Sequence, residues 1–246
     1  MIKIIVKKGP LRAFFILAQA HRHLSLLCKY TVMKGKIADI RKNYSRKKLL
    51  EKKAAADPFT QFAKWWKQAL KAGIDEVNAM TLATASADGM PAARIVLLKD
   101  FSLEGFTFFT NYESYKGRQL AENPKACLVF FWKELERQVR VTGLVEKISE
   151  QASDEYFDSR PVQSQIGAHT SPQSRVIESR EWLDNTYLQK TKELKGKKLL
   201  RPAYWGGYIV KPVIIEFWQG RPGRLHDRLQ YTLQDDGKWK LERLAP

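Results

Sequence analysis

Apolar positions along the chain change their spacing near residue 78, from a helical period to a strand-like one. In residues 57–73 large apolar side chains recur every three or four positions, Asp57-Pro58 is typical of a helix N-cap and first position, and Gly73 provides a stop. This pattern predicts an amphipathic helix with a buried stripe made of Phe59, Phe62, Trp65, Trp66, Ala69 and Leu70. Residues 34–53 are polar and basic, and we expect a helical arm with Arg41 and Tyr44 on one face.

Beyond residue 78, short apolar runs separated by turn residues predict antiparallel strands, and Asp88-Gly89 marks a hairpin. The predicted strands are 79–85, 92–99, 106–110, 125–132, 137–148, 205–210, 213–218, 225–233 and 239–244. A short helix is expected from Ser114, and residues 149–200 are expected to be helical with breaks at Pro161 and Pro172. Many short strands with inserted helices predict a mainly β, α+β fold, an antiparallel barrel with peripheral helices.

The composition argues against a disulfide-stabilised fold and against a membrane-spanning protein. A chain of 246 residues can bury a full core, and two cysteines, Cys28 and Cys127, cannot form a disulfide framework. Cys127 lies in an apolar run and is expected to be a core residue in a reducing, cytoplasmic compartment. No apolar run reaches the roughly 18 residues of a membrane span, so no membrane segment is predicted.

The first 32 residues differ from the rest of the chain. We interpret residues 1–32 as an extension outside the folded domain, with Met33 as the working start; a targeting peptide and a disordered or membrane-surface segment are the alternatives. Residues 33–56 would then form an N-terminal arm and residues 57–246 one domain.

The net charge of +17 suggests a protein that binds nucleic acid, but the distribution of the charged residues favours binding of a smaller anion. Residues 1–38 hold eight Lys and Arg and no acid, which leaves 35 basic against 26 acidic residues, a net of +9, in the remainder. Many of those cations fall inside specific short motifs instead of forming one continuous basic face. We therefore expect a small phosphorylated ligand and no nucleic-acid partner.

Residues 216–228 are the most informative candidate site, with three arginines, a histidine and a tryptophan around two glycines. Trp218 suits a flat ligand, while Arg224, His226 and Arg228 suit an anionic one. Four weaker signals of the same kind are Arg94 with Lys99, residues 110–116, Tyr156 with Arg160 and Ser164, and Gln173-Ser174-Arg175. Each of these four is equally explained by strand-end charges, helix caps or a solvated surface, but together they predict two anionic groups on flat ligands.

The chain lacks the sequence motifs of several other kinds of active or binding site. The chain has no G-x-G-x-x-G, no P-loop, no G-x-S-x-G and no Cys/His/Asp cluster with metal-ligand spacing, so no metal is expected.

From about Ile37 to Pro246 the chain resembles the pyridoxamine (pyridoxine) 5′-phosphate oxidase family. The motifs that carry the resemblance are ADPFTQF at 56–62, RIVLLK at 94–99, FFTN at 108–111, ERQVRV at 136–141, YFDSRPVQSQIGA at 156–168, WGGY at 205–208, EFWQG at 216–220, RLHDR at 224–228 and the terminal ERLAP. The resemblance implies a homodimeric FMN-binding split β-barrel with active sites shared between the subunits. It also implies an oxidoreductase that converts pyridoxamine and pyridoxine 5′-phosphates to pyridoxal 5′-phosphate, by hydride transfer from C4′ to flavin N5. Dioxygen would be the acceptor, giving H2O2, with NH3 released from the amine.

The resemblance also implies roles for individual residues. The cofactor-binding set is Arg94, Ile95, Val96, Leu97, Leu98, Lys99, Phe109, Thr110, Tyr115, Lys116, Gln138, Gln173, Ser174, Trp218 and Arg228. The substrate-binding set is Arg41, Tyr44, Lys99, Tyr156, Arg160, Ser164, Arg224, Leu225 and His226, of which Arg224 and His226 would be catalytic.

The chain departs from the family at Tyr115, where Arg is usual, and Arg175 is a hypothetical compensation for the lost charge. The competing interpretations are a flavin reductase, a non-catalytic flavin or pyridoxal-phosphate carrier, and a nucleic-acid binder.

Overall fold

The computed structural model describes residues 37–246, and the chain divides into two units, with the boundary in the sequence between Asn43 and Tyr44. Of the first unit, residues 37–43 are described, and they are exposed. The predicted extension 1–32 lies outside the described residues.

The predicted helical arm is wrong over residues 40–50, which have no helical structure. In the described part of the arm, residues 37–38 are helical and Glu51–Lys53 form a short 3-10 turn. The reason is tertiary. The backbone N–H groups of Ser45, Arg46 and Leu49 donate to distant carboxylates instead of to helical carbonyls.

Residues 44–246 contain five helices and nine strands. The helices are α1 Pro58–Lys71, α2 Tyr115–Glu122, α3 Glu150–Ser159, α4 Val162–Thr170 and α5 Arg180–Leu194. The strands are β1 Ala79–Ala85, β2 Pro91–Leu97, β3 Asp100–Ser102, β4 Gly105–Asn111, β5 Lys125–Trp132, β6 Arg137–Lys147, β7 Trp205–Gln219, β8 Asp227–Leu233 and β9 Trp239–Leu244.

All strand pairs are antiparallel and form one curved sheet, which confirms the predicted class. The strand order is β2-β1-β5-β6-β7-β4-β3; in addition, β8 pairs with β7, and β9 pairs with β8. The sheet curls back on itself, so that β2 approaches β4 although the two strands are far apart in the strand order. The N–H of Lys99, which follows β2, donates to the Thr107 carbonyl of β4 at 2.9 Å. This curl places the end of β2 beside β4.

Strand β7 replaces the two strands predicted at 205–210 and 213–218. Its first part pairs with β4 up to Val210, and its last part pairs with β8 from Ile214 onwards. Pro212, which has no N–H, lies between these two parts and pairs with Gly143 of β6, where a bulge leaves Val213 of β7 without a partner in β6. The strand therefore continues through a residue that normally ends one. Gly143 has no room for a Cβ there, because it would collide with the Lys211 carbonyl.

The core lies between α1 and the concave face of the sheet. The Asp57 side chain caps α1 by accepting from the Thr60 N–H at 2.9 Å, as the sequence predicts. Phe62 is fully buried, with its ring centroid 4.9 Å from Phe106, and Trp65 lies 5.2 Å from Phe217. The predicted stripe is wrong at Leu70, which is 54% exposed at the edge of the helix.

Candidate active site

A cavity of about 510 Å³ opens between the end of β2, the end of β4 and the helices α2, α3 and α4. Four cations, Arg94, Lys99, Lys116 and Arg160, line it, and none of its lining residues is acidic. The other lining residues are Ile95, Val96, Leu97, Phe109, Thr110, Asn111, Tyr156, Pro161, Ser164, Gln173 and Trp205. The arrangement is suited to an anion with an apolar or aromatic body.

One end of the cavity is built around the first turn of α2. The Lys116 ammonium donates to Thr110 Oγ1 at 3.0 Å and to Gln173 Oε1 at 2.8 Å. Burial, reinforced by the nearby Arg94 charge, lowers the pKa of Lys116 to about 8. Ser114 caps the helix by accepting from Gly117, so this end combines a helix N-terminus with two cations.

Arg94 is fixed from the strand side of the same end. Its guanidinium donates to Thr84 Oγ1 at 2.6 Å and to the Leu82 carbonyl at 3.2 Å, both on β1. Burial lowers the pKa of Arg94. Its hydrogen-bond partners are neutral, so no carboxylate among them offsets this effect. A cation held by neutral partners favours an incoming anion.

The other part of the cavity contains Arg160 on an aromatic layer. The Phe109 and Tyr156 rings stack at 3.8 Å, and the Arg160 guanidinium lies 4.5 Å from the Trp205 ring. Within residues 37–246, Nη1 of Arg160 is a buried polar atom without a hydrogen-bond partner. Burial lowers the Arg160 pKa, and an anion in the cavity would supply both the missing acceptor and the missing counter-charge.

Lys99 and Ser164 complete this part. The Lys99 ammonium lies 5.9 Å from the centre of the Tyr156 ring, and Ser164 lies near the start of α4. The structure therefore brings the predicted residues Lys99, Tyr156, Arg160 and Ser164 to one cavity.

A second cluster lies at the far end of the sheet and includes none of the cavity residues. Gln138, Trp218 and Arg228 are direct neighbours across β6, β7 and β8. The Trp218 ring lies 4.6 Å from the ring of His226 and 5.7 Å from that of Tyr44. We call Tyr44, Gln138, Trp218, His226 and Arg228 the indole cluster.

Arg224 and Leu225 directly precede His226 in the chain. Arg224 has a left-handed backbone, φ 62, and Leu225 is 72% exposed. The pKa of His226 is lowered by burial and by the Arg224 charge. Its Nδ1 lies 3.1 Å from the Arg221 backbone N–H, which assigns Nδ1 as the acceptor.

Arg228 is held by a buried acid that sequence reasoning missed. Glu216 is 2% exposed; it accepts from Arg228 Nε at 2.8 Å and from Arg140 at 2.8 Å. Arg140 and Glu216 are opposite each other on β6 and β7, so cross-strand register provides the pair. Since register depends on the assembled sheet, the sequence gives no direct signal for it.

The cavity and the indole cluster are separated along one strand. Trp205 lines the cavity and Trp218 belongs to the cluster, and both lie on β7. At about 3.3 Å per residue, roughly 40 Å of strand separates them. Within one chain the two sets therefore lie at opposite ends of β7.

Some predicted residues lie elsewhere. The Leu98 side chain is in the core, and Tyr115 and Ser174 are not among the cavity residues, so their roles stay predictions. Arg41 belongs to the first unit, and its role is likewise untested. Arg175 forms an exposed ion pair with Glu113 at 3.2 Å and does not line the cavity.

Asn111, Pro161 and Trp205 line the cavity although the residue assignments above omit them. All three lie inside or next to the quoted family motifs, which is the signal that could have found them.

The described part of the chain offers neither a metal site nor a membrane span. Within residues 37–246 no group of three or more His, Cys, Asp or Glu side chains is arranged to hold a metal ion. No described helix is both long and apolar enough to cross a bilayer.

Comparison with known proteins gives consistent matches. Residues 66–189 match the family model described as pyridoxamine 5′-phosphate oxidase, and residues 205–246 match the pyridoxine 5′-phosphate oxidase C-terminal dimerisation region. A Nostoc punctiforme protein named pyridoxine/pyridoxamine 5′-phosphate oxidase is 55% identical over 210 residues, covering 85% of this chain and 98% of that protein.

Two solved structures are also similar. PhzG from Burkholderia lata, in complex with tetrahydrophenazine-1-carboxylic acid, superposes with a TM-score of 0.76 at 30% identity, covering 82% of this chain and 100% of that one. A pyridoxamine 5′-phosphate oxidase-related, FMN binding protein from Nostoc punctiforme superposes with a TM-score of 0.64 at 17% identity, covering 78% of this chain and 100% of that one. The latter similarity concerns the fold alone.

Proposed function

This chain belongs to the pyridoxamine 5′-phosphate oxidase family, and from that premise we propose that it oxidises pyridoxamine and pyridoxine 5′-phosphates to pyridoxal 5′-phosphate with FMN as cofactor. One observation carries the proposal: a single cavity holds four cations, no acid and an unpaired Arg160 nitrogen beside an aromatic layer. Phosphate esters of flat aromatic rings satisfy all of these features.

The chemistry of the donors supports a flavin phosphate at the α2 end. Lys116 and Arg94 would bind the FMN phosphate, with Gln173 and the first turn of α2 providing further polar contacts. The exposed face of β2, which includes Ile95, would pack against the flavin ring. The lowered pKa of Lys116 shows a cation that lacks a counter-ion, which a phosphate would provide.

When bound, FMN would supply the two-electron acceptor for oxidation at C4′, with dioxygen as the final acceptor giving H2O2; for the amine, water would hydrolyse the resulting imine to the aldehyde and NH3. The chain's own residues would bind and orient the substrate. Arg160, Lys99 and Ser164 would bind its phosphate, and Tyr156 would contribute a hydroxyl from the aromatic layer. Fixing the phosphate holds the reacting carbon in one position relative to the flavin.

The indole cluster would complete the site of a partner subunit. Trp218, His226 and Arg228 lie inside the segment that matches the dimerisation region, and that match supports a homodimer. Exposed Phe131 lies opposite Gln138 in the sheet and extends the cluster with an apolar surface of the kind that dimers bury. In the dimer, Trp218 and Arg228 would hold the flavin ring, and Arg224 and His226 would contact the substrate ring.

The test is reconstitution followed by assay. The purified chain is titrated with FMN, and peroxide and pyridoxal 5′-phosphate are measured with pyridoxamine 5′-phosphate, pyridoxine 5′-phosphate and unphosphorylated pyridoxamine. We expect turnover of both phosphates and a much higher KM without the phosphate. A protein that binds no FMN, or that oxidises NADH in preference to either phosphate, would refute the proposal.

A further inference from the structure

Residues 44–51, here called the strap, begin at Tyr44 and cross the indole cluster without regular secondary structure up to Leu50. Their backbone is held by a buried acid. The N–H groups of Ser45 and Arg46 both donate to Oε2 of Glu136, at 2.9 and 3.0 Å. Glu136 is 3% exposed, so it is a buried carboxylate with two amide donors, a charge-assisted arrangement.

A second anchor holds the strap further along. The Leu49 N–H donates to Oδ2 of Asp227 at 3.0 Å, and the Leu49 carbonyl accepts from Arg243 at 2.8 Å. Arg243 also donates to Asp227 Oδ1 at 2.9 Å, so the acid and the cation bind each other as well as the strap. The strap is thus fixed at both ends by residues that are far away in sequence.

The anchors determine where Tyr44 lies. Its ring centroid is 5.7 Å from that of Trp218, edge to face, and 6.0 Å from that of His226. Gly220 leaves the space for it, because a Cβ on that glycine would come within 2.7 Å of the Tyr44 side chain. The Glu136 carbonyl accepts from the Gly220 N–H at 2.7 Å, so Glu136 binds the strap and the end of β7 together.

We propose that Glu136, supported by Asp227, is a positioning residue that holds Tyr44 against Trp218 and His226 before substrate binds. Glu136 acts through the strap and does not itself line the cavity. The proposal rests on the proposed function only for the role of Tyr44 toward substrate. Preorganisation removes the entropic cost of ordering the strap on binding, so its loss raises KM and leaves kcat largely unchanged.

The experiment compares Glu136→Gln with Glu136→Met in the FMN-loaded full-length protein. Both replacements are uncharged and of similar length, and both meet the same left-handed backbone at residue 136, φ 54. Only Gln keeps an oxygen that can accept from Ser45 and Arg46. Glu134→Gln removes an exposed carboxylate two residues away and serves as the control.

Two readouts are taken: steady-state kinetics with pyridoxamine 5′-phosphate, and the rate of trypsin cleavage after Arg46, Lys47 and Lys48 without substrate. For Glu136→Met we expect KM and the cleavage rate to rise by at least roughly tenfold, because both charge-assisted hydrogen bonds to the strap are lost, with FMN affinity unchanged. Glu136→Gln should show a smaller rise than Glu136→Met, because it keeps a neutral acceptor, and the control should stay within about twofold of the parent. Equal effects in Gln and Met, or a parent-like Met variant, overturn the proposal.

Ser45→Pro provides an independent route if Glu136→Met does not fold. It deletes one donor from the strap and leaves Glu136 in place, and it must reproduce the higher KM and faster cleavage. Parent-like behaviour of Ser45→Pro overturns the proposal. If the parent oxidises neither phosphate, the proposed function fails, while the trypsin comparison still decides whether Glu136 holds the strap.

Discussion

Raising the pH from 7 to 9 should weaken FMN binding through a single group, Lys116. In the FMN-free chain burial and the Arg94 charge lower the pKa of this lysine to about 8. A phosphate next to its ammonium would raise that pKa again, because an opposite charge favours the protonated form. FMN therefore binds the protonated chain more tightly, and affinity decreases as the pH rises through 8.

The size of the effect follows from proton linkage. At pH 7 about nine-tenths of the FMN-free chains carry a charged Lys116, and at pH 9 about one-tenth do, so the FMN Kd rises by about tenfold. This is an upper value, since Lys116 is only half-buried and water screens part of the interaction. The FMN-free protein itself should become more stable between pH 8 and 10.5, because there the unfolded chain binds more protons at Lys116 than the folded one.

The assay is quenching of flavin fluorescence on titration of the FMN-free protein at several pH values. Two controls isolate the lysine. Lys116→Arg keeps its charge across this range and should show a nearly flat profile. Riboflavin has no phosphate and should also bind with little dependence on pH. An equally steep profile for Lys116→Arg or for riboflavin would show that another group titrates.

Three further substitutions have expected outcomes. Arg160→Met should raise the KM for pyridoxamine 5′-phosphate by about 10- to 100-fold with FMN affinity unchanged, because it removes a charge-assisted contact to the phosphate; Arg160→Lys should recover part of this, and equal KM values in all three proteins would contradict the assignment. Arg224→Ala should reduce turnover far more than FMN content in the purified protein, and a near-normal rate would remove Arg224 from the site. Phe62→Ala should lower the unfolding free energy by about 3–5 kcal/mol in urea, whereas Leu70→Ala, which is exposed on the same helix, should cost less than about 1 kcal/mol; similar losses would contradict the core described above.

The agreement between sequence and structure is closest where a local rule decides the outcome. The Asp57 cap, the hairpin over Asp88-Gly89 and the start of α2 after Ser114 each depend on a few neighbouring residues. Nine of the cofactor-binding residues implied by the resemblance line the cavity; these are Arg94, Ile95, Val96, Leu97, Lys99, Phe109, Thr110, Lys116 and Gln173. Tyr156, Arg160 and Ser164 from the substrate set line it as well.

The disagreements have a common physical cause. The arm lacks the predicted helix because Glu136 and Asp227 accept the N–H groups that a helix would use. Strand β7 runs through Pro212 because its partner changes from β4 to β8 at that point. Neither acceptor nor partner is near in sequence, so no local pattern could indicate them.

The sequence by itself determined the class of fold, the family and most of the residues that line the candidate cavity, because periodicity, caps, turns and motifs act over a few positions. Only the tertiary structure decided how those residues are grouped: a cationic cavity at one end of the sheet and the indole cluster at the other. It also provided Glu216 and Glu136, which orient Arg228 and the strap. These arrangements depend on strand register and on contacts between distant segments, which exist only once the chain has folded.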